Sequence, residues 1–303
     1  MNKVIVIAGP TASGKTSLGI EVARAVGGEI VSADSMQVYK NMPIATAAPT
    51  PEEKSLAPHH LVEFLEPSES FSVALWCKLA KEKIDDILSR GKVPVVVGGT
   101  GLFIDSLVDN IAFADVKVNE KLRDELMSRD VDSLYDELKS LDPKACENIH
   151  KNNKKRVVRA LELYYSGSGK TVQNDNSRKE KSPYEFLYFV LQYENRQTLY
   201  DRINLRVDKM MEAGLLDEAK NMLSTEKSTS AQAIGHKELA KYINGETTLE
   251  EAKNKLKQES RRYAKRQITW FKRRNDAVFV TYDRDTDFQT KSVIAKCEDF
   301  LNG

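Results

Sequence analysis

The residues with the clearest chemical meaning lie near the start of the chain, at positions 9–16, where the sequence reads G-P-T-A-S-G-K-T. This is a complete G-x-x-x-x-G-K-T phosphate-binding loop, in which backbone N–H groups and the start of the following helix hold phosphate oxygens. Lys15 is expected to neutralise those oxygens, and the Thr16 hydroxyl is expected to bind Mg²⁺. We predict a diphosphate site formed by the whole loop: Gly9, Pro10, Thr11, Ala12, Ser13, Gly14, Lys15 and Thr16.

Asp34 is the second candidate. Nucleotide hydrolases with this loop have an acid at the end of a later strand, which helps to hold the magnesium ion. Here the corresponding strand, at 93–97, is followed by Gly98, Gly99 and Thr100 instead. Asp34 is the first acid available, and the strand before it should end at the same crevice. It could hold magnesium indirectly, act as a general base, or only cap the turn after the strand.

Alternating strand and helix signals position these residues. Short apolar runs at 4–8, 29–32 and 93–97 predict buried strands, and helical patterns lie between them, the first from Lys15 to Ala25. A second helix is expected to begin after Ser70 or Ser72, as its N-cap, and to end at Gly91. Strands and helices in this order predict an α/β fold: a P-loop core whose mostly parallel sheet is flanked by helices.

The pattern changes after about residue 112, where the chain becomes charged and helical. Strand signals return at 186–191 and 277–282. We therefore predict that 1–112 and 186–303 form the P-loop core and that 113–185 form an inserted all-helical domain.

Charge is balanced overall but clustered locally. The formal net charge is only +1, yet residues 253–274 contain ten basic side chains and one acid, Glu259. A second basic run, K-N-N-K-K-R-V-V-R, covers 151–159. Each run alone is typical of a solvated helix face, but two runs favour a polyanionic partner.

Composition favours a cytoplasmic protein without a membrane span. No stretch approaches the 18 consecutive apolar residues that a span needs. The three cysteines, Cys77, Cys146 and Cys297, are far apart and form no C-x-x-C motif, which is typical of a reducing compartment.

Eight motifs occur in one order along nearly the whole chain and resemble the tRNA dimethylallyltransferases, also called tRNA isopentenyltransferases. They are G-P-T-A-S-G-K-T (9–16), D-S-M-Q-V-Y (34–39), P-H-H-L (58–61), V-G-G-T-G-L-F-I (97–104), K-R-V-V-R-A-L-E (155–162), R-I-N-L-R-V-D-K-M (202–210), A-I-G-H-K-E (233–238) and Y-A-K-R-Q-I-T-W-F-K-R (263–273). Two positions depart from the family pattern, because Ala48 stands where a lysine is common and His236 where a tyrosine is common.

The resemblance implies transfer of a dimethylallyl group from dimethylallyl diphosphate to N6 of adenosine 37, in tRNAs that read codons beginning with U. Mg²⁺ would assist, and the enzyme is expected to act as a monomer. Asp34 would be the base, helped by Lys15, Thr16, Arg202 and Arg206, although the two arginines could equally be surface ion pairs. Contacts to the tRNA anticodon stem-loop are predicted for Asp34, Ser35, Met36, Gln37, Thr100, Arg123, Lys155, Arg156, Val157, Val158, Arg159, Lys265, Arg266, Gln267, Thr269 and Arg273.

Three other functions share parts of this pattern. An adenylate isopentenyltransferase, which prenylates free AMP, ADP or ATP, would need the loop and Asp34 but not the basic helices. A P-loop kinase of a small metabolite would be expected to have the missing acid after the 93–97 strand. A non-catalytic RNA-binding protein would have little use for an intact G-K-T.

Overall fold

A computed structural model of the chain describes residues 2–113, 119–167, 181–223 and 233–303. The chain falls into two compact units, Met1–Val108 with Pro183–Gly303, and Asp109–Ser182. These bounds lie a few residues from those expected from the change in sequence character. Across the described ranges, no helix has both the length and the apolar character needed to cross a membrane.

The first unit is built on a six-stranded sheet in which every described pair of strands is parallel. The strands are β1 (Asn2–Ala8), β2 (Gly28–Ala33), β3 (His59–His60), β4 (Val93–Gly98), β5 (Tyr184–Gln192) and β6 (Val278–Thr281), in the spatial order β3-β2-β4-β1-β5-β6. The predicted mostly parallel α/β sheet is confirmed. Gly98 is in register with both Ala8 and Ala33, so β1, β2 and β4 end at the same level. The segments after these three strands are thereby brought together.

Helices cover both the sheet and its carboxyl edge. Those of the first unit are α1 (Lys15–Ala25), α2 (Pro43–Thr46), α3 (Pro51–Leu56), α4 (Val73–Ser89), α5 (Gly101–Val108), α10 (Arg196–Glu212), α11 (Leu215–Leu223), α12 (His236–Ile243), α13 (Leu249–Phe271) and α14 (Thr286–Asn302). Helix α1 has the predicted bounds, and the Ser72 side chain caps α4 by accepting from Leu75 N–H at 3.2 Å. The apolar residues of β1, β4 and α1 form the main core, with Val4 to Ala8 fully buried.

The second unit has its own core. The regular structure among its described residues is helical: α6 (Glu120–Ser128), α7 (Val131–Leu141), α8 (Pro143–Cys146) and α9 (Lys154–Tyr165). Leu134, Leu138 and Leu161 are fully buried in one cluster between these helices. Because this cluster belongs to the unit alone, 109–182 has the hydrophobic centre that an independent insertion needs.

Candidate active site

The phosphate-binding loop joins β1 to α1 with backbone conformations suited to its role. Gly14 has φ +93° immediately before the first residue of α1, and a Cβ there would lie 2.9 Å from the Tyr282 ring. Both the left-handed conformation and the close ring therefore require glycine. The loop thus delivers the N-terminal N–H groups of α1, with their partial positive charge, to the carboxyl edge of the sheet.

Lys15 is the loop residue with the most altered electrostatics. Burial, followed by the charge of Arg206, lowers the pKa of its ammonium group from 10.5 to about 8, and this value includes a smaller opposing effect of Asp34. Its Nζ donates to the Pro10 carbonyl at 3.2 Å. A lysine held in this way beside another cation gains electrostatically when an anion arrives, which fits the predicted diphosphate site.

Three cavities meet around the loop. One of about 60 Å³ is lined by Lys15, Thr16 and Asp34, and a larger one of about 250 Å³ also includes Asp34. A third cavity, of about 310 Å³, is lined by loop residues that include Lys15 and Thr16. Arg206 lines all three. The phosphate-binding loop, the Asp34 carboxylate and the Arg206 guanidinium therefore all border the 60 Å³ cavity.

Asp34 follows β2 and uses one carboxylate oxygen to shape the chain. Its Oδ1 accepts from Met36 N–H at 2.9 Å and from Gln37 N–H at 3.4 Å. No described residue offers Oδ2 a hydrogen bond. The cap expected as an alternative to catalysis is therefore present, but it occupies only one oxygen and leaves the other able to accept a proton.

The segment after β4 holds Asp34's neighbours in place. Thr100 N–H donates to the Ala33 carbonyl at 3.1 Å, and Thr100 Oγ1 accepts from Ser35 N–H at 3.0 Å. Thr100 therefore links the ends of β2 and β4. Ser35 and Met36, also predicted to contact tRNA, line the 250 Å³ cavity beside Asp34.

Gln37 faces inward rather than towards solvent. Its Oε1 accepts from Ser32 Oγ at 3.0 Å, and its Nε2 donates to the Ala47 carbonyl at 2.9 Å. It lines the 60 Å³ cavity together with Lys15. Because its amide already has partners on this side, the geometry fits a residue that shapes the 60 Å³ cavity.

Gln267 occupies the place where a magnesium-binding acid was missing. Its Oε1 accepts from Thr11 N–H of the phosphate loop, and its Nε2 donates to the Gly99 carbonyl, both at 2.8 Å. The residue is only 5% exposed, and a Cβ on Gly99 would lie 2.3 Å from Nε2. Both ends of its amide are therefore paired with the protein backbone, its side chain also lines the 60 Å³ cavity, and its direct contact with RNA stays a prediction.

The position of α13 explains this bridge. Trp270 donates from Nε1 to Asp105 Oδ2 at 2.6 Å, and a Cβ on Gly101 would lie 2.3 Å from the Trp270 ring. Trp270 therefore rests directly on the start of α5, just after β4. Since Gln267 lies one turn earlier on α13, it reaches the gap between Gly99 and the loop.

Replacing Gln267 should loosen the loop. Gln267→Leu keeps a similar volume but leaves Thr11 N–H and the Gly99 carbonyl unpaired, at a cost of about 1–3 kcal/mol for each group. We expect the free energy of unfolding to fall by about 2–4 kcal/mol in urea titrations. The matched control is Gln258→Leu, because Gln258 lies on the same helix and, among the described residues, its side chain makes only an exposed hydrogen bond with Lys255. Equal stability losses in the two variants would contradict the bridge.

Arg202 and Arg206 lie four residues apart on α10 but differ in surroundings. Arg202 is exposed and donates from Nε to the Ala12 carbonyl at 2.9 Å, so it supports the loop backbone. Burial lowers the pKa of Arg206, and Asp34 opposes that decrease. Within the described part of the chain neither arginine forms an ion pair, so the surface-pair alternative has no support there.

Tyr263 is a site residue that the sequence reasoning missed. It lines both the 60 and the 250 Å³ cavities beside Asp34. Burial raises the pKa of its hydroxyl, and the charge of Asp34 raises this pKa further. Its spacing of four residues from Gln267 places both on one face of α13, which was the signal available in the sequence.

The exposed basic residues of α13 present a polar surface near this edge. Lys265, Arg266 and Thr269 on α13, and Arg273 two residues after its end, are all exposed. The Arg266 guanidinium lies 5.6 Å from the centre of the Tyr263 ring, and Arg266 also lines the 250 Å³ cavity. This geometry leaves their charges accessible to a polyanion.

The second unit divides its predicted RNA contacts between surface and core. Lys155 and Arg156 are exposed, whereas Val157 and Val158 are 0% and 3% exposed within the hydrophobic cluster. Both valine side chains pack α9 against the other helices, and contact between these positions and tRNA stays a prediction.

Arg123 and Arg159 converge on one buried carboxylate. Arg123 binds both oxygens of Glu162, at 2.7 and 3.0 Å, and Arg159 donates to the same carboxylate at 3.2 Å. Glu162 is 5% exposed, so this cluster fixes the two guanidinium groups in position. Two guanidinium groups thus share one buried carboxylate.

The Thr16 hydroxyl and the Asp34 carboxylate both line the 60 Å³ cavity and could contribute oxygen ligands to Mg²⁺. Nowhere in the described ranges do three or more His, Cys, Asp or Glu side chains come together as a metal site. The donor set therefore fits an ion that takes most of its ligands from the diphosphate and water, as Mg²⁺ commonly does.

Comparisons with known proteins agree on one group. The IPP transferase family matches residues 37–274, and an isopentenyl transferase family matches residues 2–59. A tRNA dimethylallyltransferase of Acetivibrio thermocellus is 46% identical over 296 residues, covering 95% of this chain and 94% of the relative.

Solved structures give the same result. The full-length tRNA isopentenylpyrophosphate transferase from Bacillus halodurans is 41% identical, with 100% of this chain and 97% of that chain covered and a TM-score of 0.76. A eukaryotic dimethylallyltransferase, studied while acting on tRNA, is 32% identical, with 99% and 79% covered and a TM-score of 0.86.

Proposed function

Because the chain belongs to the IPP transferase family, we propose that it transfers a dimethylallyl group from dimethylallyl diphosphate to N6 of adenosine 37 in tRNA. The tRNAs are those that read codons beginning with U, and diphosphate is released. The chain is a tRNA-modifying prenyltransferase rather than an enzyme of free adenylates, since the relatives are tRNA dimethylallyltransferases. We place the reaction in the cytoplasm and expect the enzyme to act as a monomer.

The observation that carries the proposal is the shared cavity of Lys15, Thr16 and Asp34. The adenine N6 amine is a poor nucleophile, because its lone pair is delocalised into the ring. A hydrogen bond from N6–H to Asp34 Oδ2 would orient the amine, and the Asp34 carboxylate would then accept its proton. The N6 lone pair then forms a bond to C1 of the dimethylallyl group.

The other half of the reaction takes place at the loop. As the bond between C1 and the diphosphate oxygen breaks, its electron pair goes to that oxygen. Protonated Lys15, Arg206 and the loop N–H groups would stabilise the charge that develops there. Bound Mg²⁺, held through Thr16, would neutralise part of the charge on the diphosphate. Transfer of a γ-phosphate is not required, which agrees with Gln267 and Gly99 standing where a kinase has an acid.

The tRNA would contribute the second substrate through its anticodon loop. Adenosine 37 must leave the stack to reach Asp34, which costs a few kcal/mol and less in a single-stranded loop. Phosphate contacts by exposed basic side chains can offset this cost. We assign that role to Lys265, Arg266 and Arg273 in the first unit, and to Lys155 and Arg156 in the second.

A labelling experiment tests the function. The protein is incubated with dimethylallyl diphosphate labelled in the prenyl group, together with bulk tRNA, AMP or ATP. We expect label in tRNA alone, and none in a tRNA transcript whose position 37 is guanosine. Label in AMP or ATP would support the adenylate enzyme, and absence of transfer to any acceptor would contradict the proposal.

The salt dependence of tRNA binding tests the basic surface of α13. Lys265→Ala combined with Arg266→Ala should weaken binding and reduce the slope of log K against log salt by about one unit for each phosphate that these side chains neutralise. The control is Lys255→Ala with Arg262→Ala on the same helix, because both of these side chains pair with Glu259. If Lys265→Ala with Arg266→Ala has the same slope as the unsubstituted enzyme, these two side chains belong to a solvated helix face that does not bind tRNA.

A further inference from the structure

A buried glutamate and histidine lie behind one wall of the 250 Å³ cavity. The side chains of Glu218, on α11, and His236, the first residue of α12, are 7% and 3% exposed. His236 Nε2 lies 2.8 Å from Glu218 Oε1. Because a carboxylate accepts, Nε2 carries the N–H of this bond. Nδ1 is buried and has no hydrogen-bond partner among the described residues, so the ring is anchored through Glu218.

Glu218 also binds the start of a short segment that borders the site. Its Oε2 accepts from Ile44 N–H at 2.8 Å, and its Oε1 accepts from Ala45 N–H at 2.9 Å. These N–H groups begin α2, whose N-cap residue, Met42, provides no side-chain hydrogen bond. With His236 as the third donor, one buried carboxylate joins α2, α11 and α12.

Helix α2 forms part of both the 60 Å³ and the 250 Å³ cavity. Ala45 and Thr46 line the 250 Å³ cavity, as does Ile234, two residues before His236. Thr46 also lines the 60 Å³ cavity beside Lys15. The position of α2 therefore determines where Ala45 and Thr46 stand in the cavity wall. Glu218 and His236 influence this wall through α2, although neither of them lines the two cavities.

The wall that the pair supports is hydrocarbon-like. Half of the residues that line the 250 Å³ cavity are apolar, and its apolar surface includes Ile203, Val207, Met210, Ala233, Ile234 and Leu256. Such a surface offers few hydrogen bonds to a base edge, but it rewards burial of alkyl groups. Its place next to the diphosphate loop fits the prenyl chain of the donor.

We propose that Glu218 and His236 are positioning residues that fix the wall of the prenyl cavity and thereby limit the length of the donor chain. This inference rests on the proposed function. Without the hydrogen bond from His236, Glu218 keeps a buried charge with one partner fewer, and α2 is held less firmly. The wall can then move away from a dimethylallyl group and make room for a second isoprene unit.

The test compares His236→Leu with His236→Gln, because glutamine can keep an N–H donor to Glu218 whereas leucine cannot. We expect His236→Leu to raise KM for dimethylallyl diphosphate about tenfold and to leave KM for tRNA within about twofold. The preference for dimethylallyl over geranyl diphosphate, measured as the ratio of kcat/KM, should fall by a similar factor. His236→Gln should restore most of both values.

Two results separate the possible failures. If kcat or the folded fraction falls while KM and donor preference stay unchanged, the pair is merely structural and the inference is overturned. If the unsubstituted enzyme does not prenylate tRNA, the proposed function itself fails. Should His236→Leu not fold, Glu218→Gln is measured in the same way, since it keeps the volume of the side chain and replaces one acceptor oxygen; unchanged donor preference in that variant also overturns the inference.

Discussion

Asp34→Asn is expected to lower the rate of prenyl transfer by a factor of about 10²–10⁴ while tRNA affinity stays nearly constant. An amide in place of the second carboxylate oxygen presents N–H groups to adenine N6, so it can neither accept the amine hydrogen bond nor take the proton. The loss should appear in single-turnover experiments with saturating dimethylallyl diphosphate and tRNA, where the chemical step is measured apart from binding.

The structure makes asparagine a suitable substitution here. Asp34 Oδ1 shapes the turn by accepting from Met36 and Gln37, and an asparagine side chain keeps that carbonyl oxygen. Asp34→Ala, in contrast, removes the cap as well as the base and should also lower stability by about 0.5–2 kcal/mol, the usual range for losing such a cap. A rate for Asp34→Asn within about threefold of the unsubstituted enzyme would exclude the general-base role and leave Asp34 as a turn residue.

The sequence predicts the part of the site that lies on consecutive residues. The loop at 9–16, α1 and Asp34 depend on local signals: an apolar strand, glycines at fixed spacing, and a helix directly afterwards. The parallel sheet follows because helices alternate with these strands, and parallel strands require such crossovers. Their common edge then brings the loop and Asp34 together without further information.

Residues brought in from distant parts of the chain were harder to assign. Gln267 and Thr11 are 256 positions apart, and nothing local indicates that α13 crosses the end of β4. The basic composition of α13 favoured RNA contact for Gln267 together with its basic neighbours, yet the Gln267 side chain lies on the buried face of the helix. Val157 and Val158 are a related case, because a basic motif contains both the exposed and the core-facing residues of one helix.

Lys15 should make donor binding depend on pH, with affinity falling as the pH rises through about 8. The free protein holds the pKa of this ammonium group at about 8, because burial and Arg206 disfavour its charge more than Asp34 favours it. The diphosphate binds the protonated form. Above this pKa, binding must first add a proton, so affinity should decrease by up to about tenfold for each further pH unit.

Calorimetry can measure that proton directly. Between about pH 8 and 9 the binding enthalpy of dimethylallyl diphosphate should vary with the ionisation enthalpy of the buffer, corresponding to uptake of up to one proton. Lys15→Met is the control. The ligand ionises in the same way when it binds this variant, but the variant has no amine at position 15 that could take up a proton. It should bind much more weakly and with a flatter pH profile. Equal proton uptake in both proteins would show that Lys15 is already protonated throughout this range.

Lys15→Met should also stabilise the ligand-free protein, even though it removes activity. The unfolded chain keeps the Lys15 pKa near 10.5, so it holds more protons than the folded chain between about pH 8 and 10.5, and stability contributed by this group rises with pH across that window. At pH 7 the folded protein carries the full cost of a desolvated cation. Lys15→Met should remove that cost and raise the free energy of unfolding by an amount on the order of 2 kcal/mol. A stability below that of the unsubstituted protein would mean that Lys15 is stabilising before any diphosphate arrives, and that the loop is not held ready for an anion.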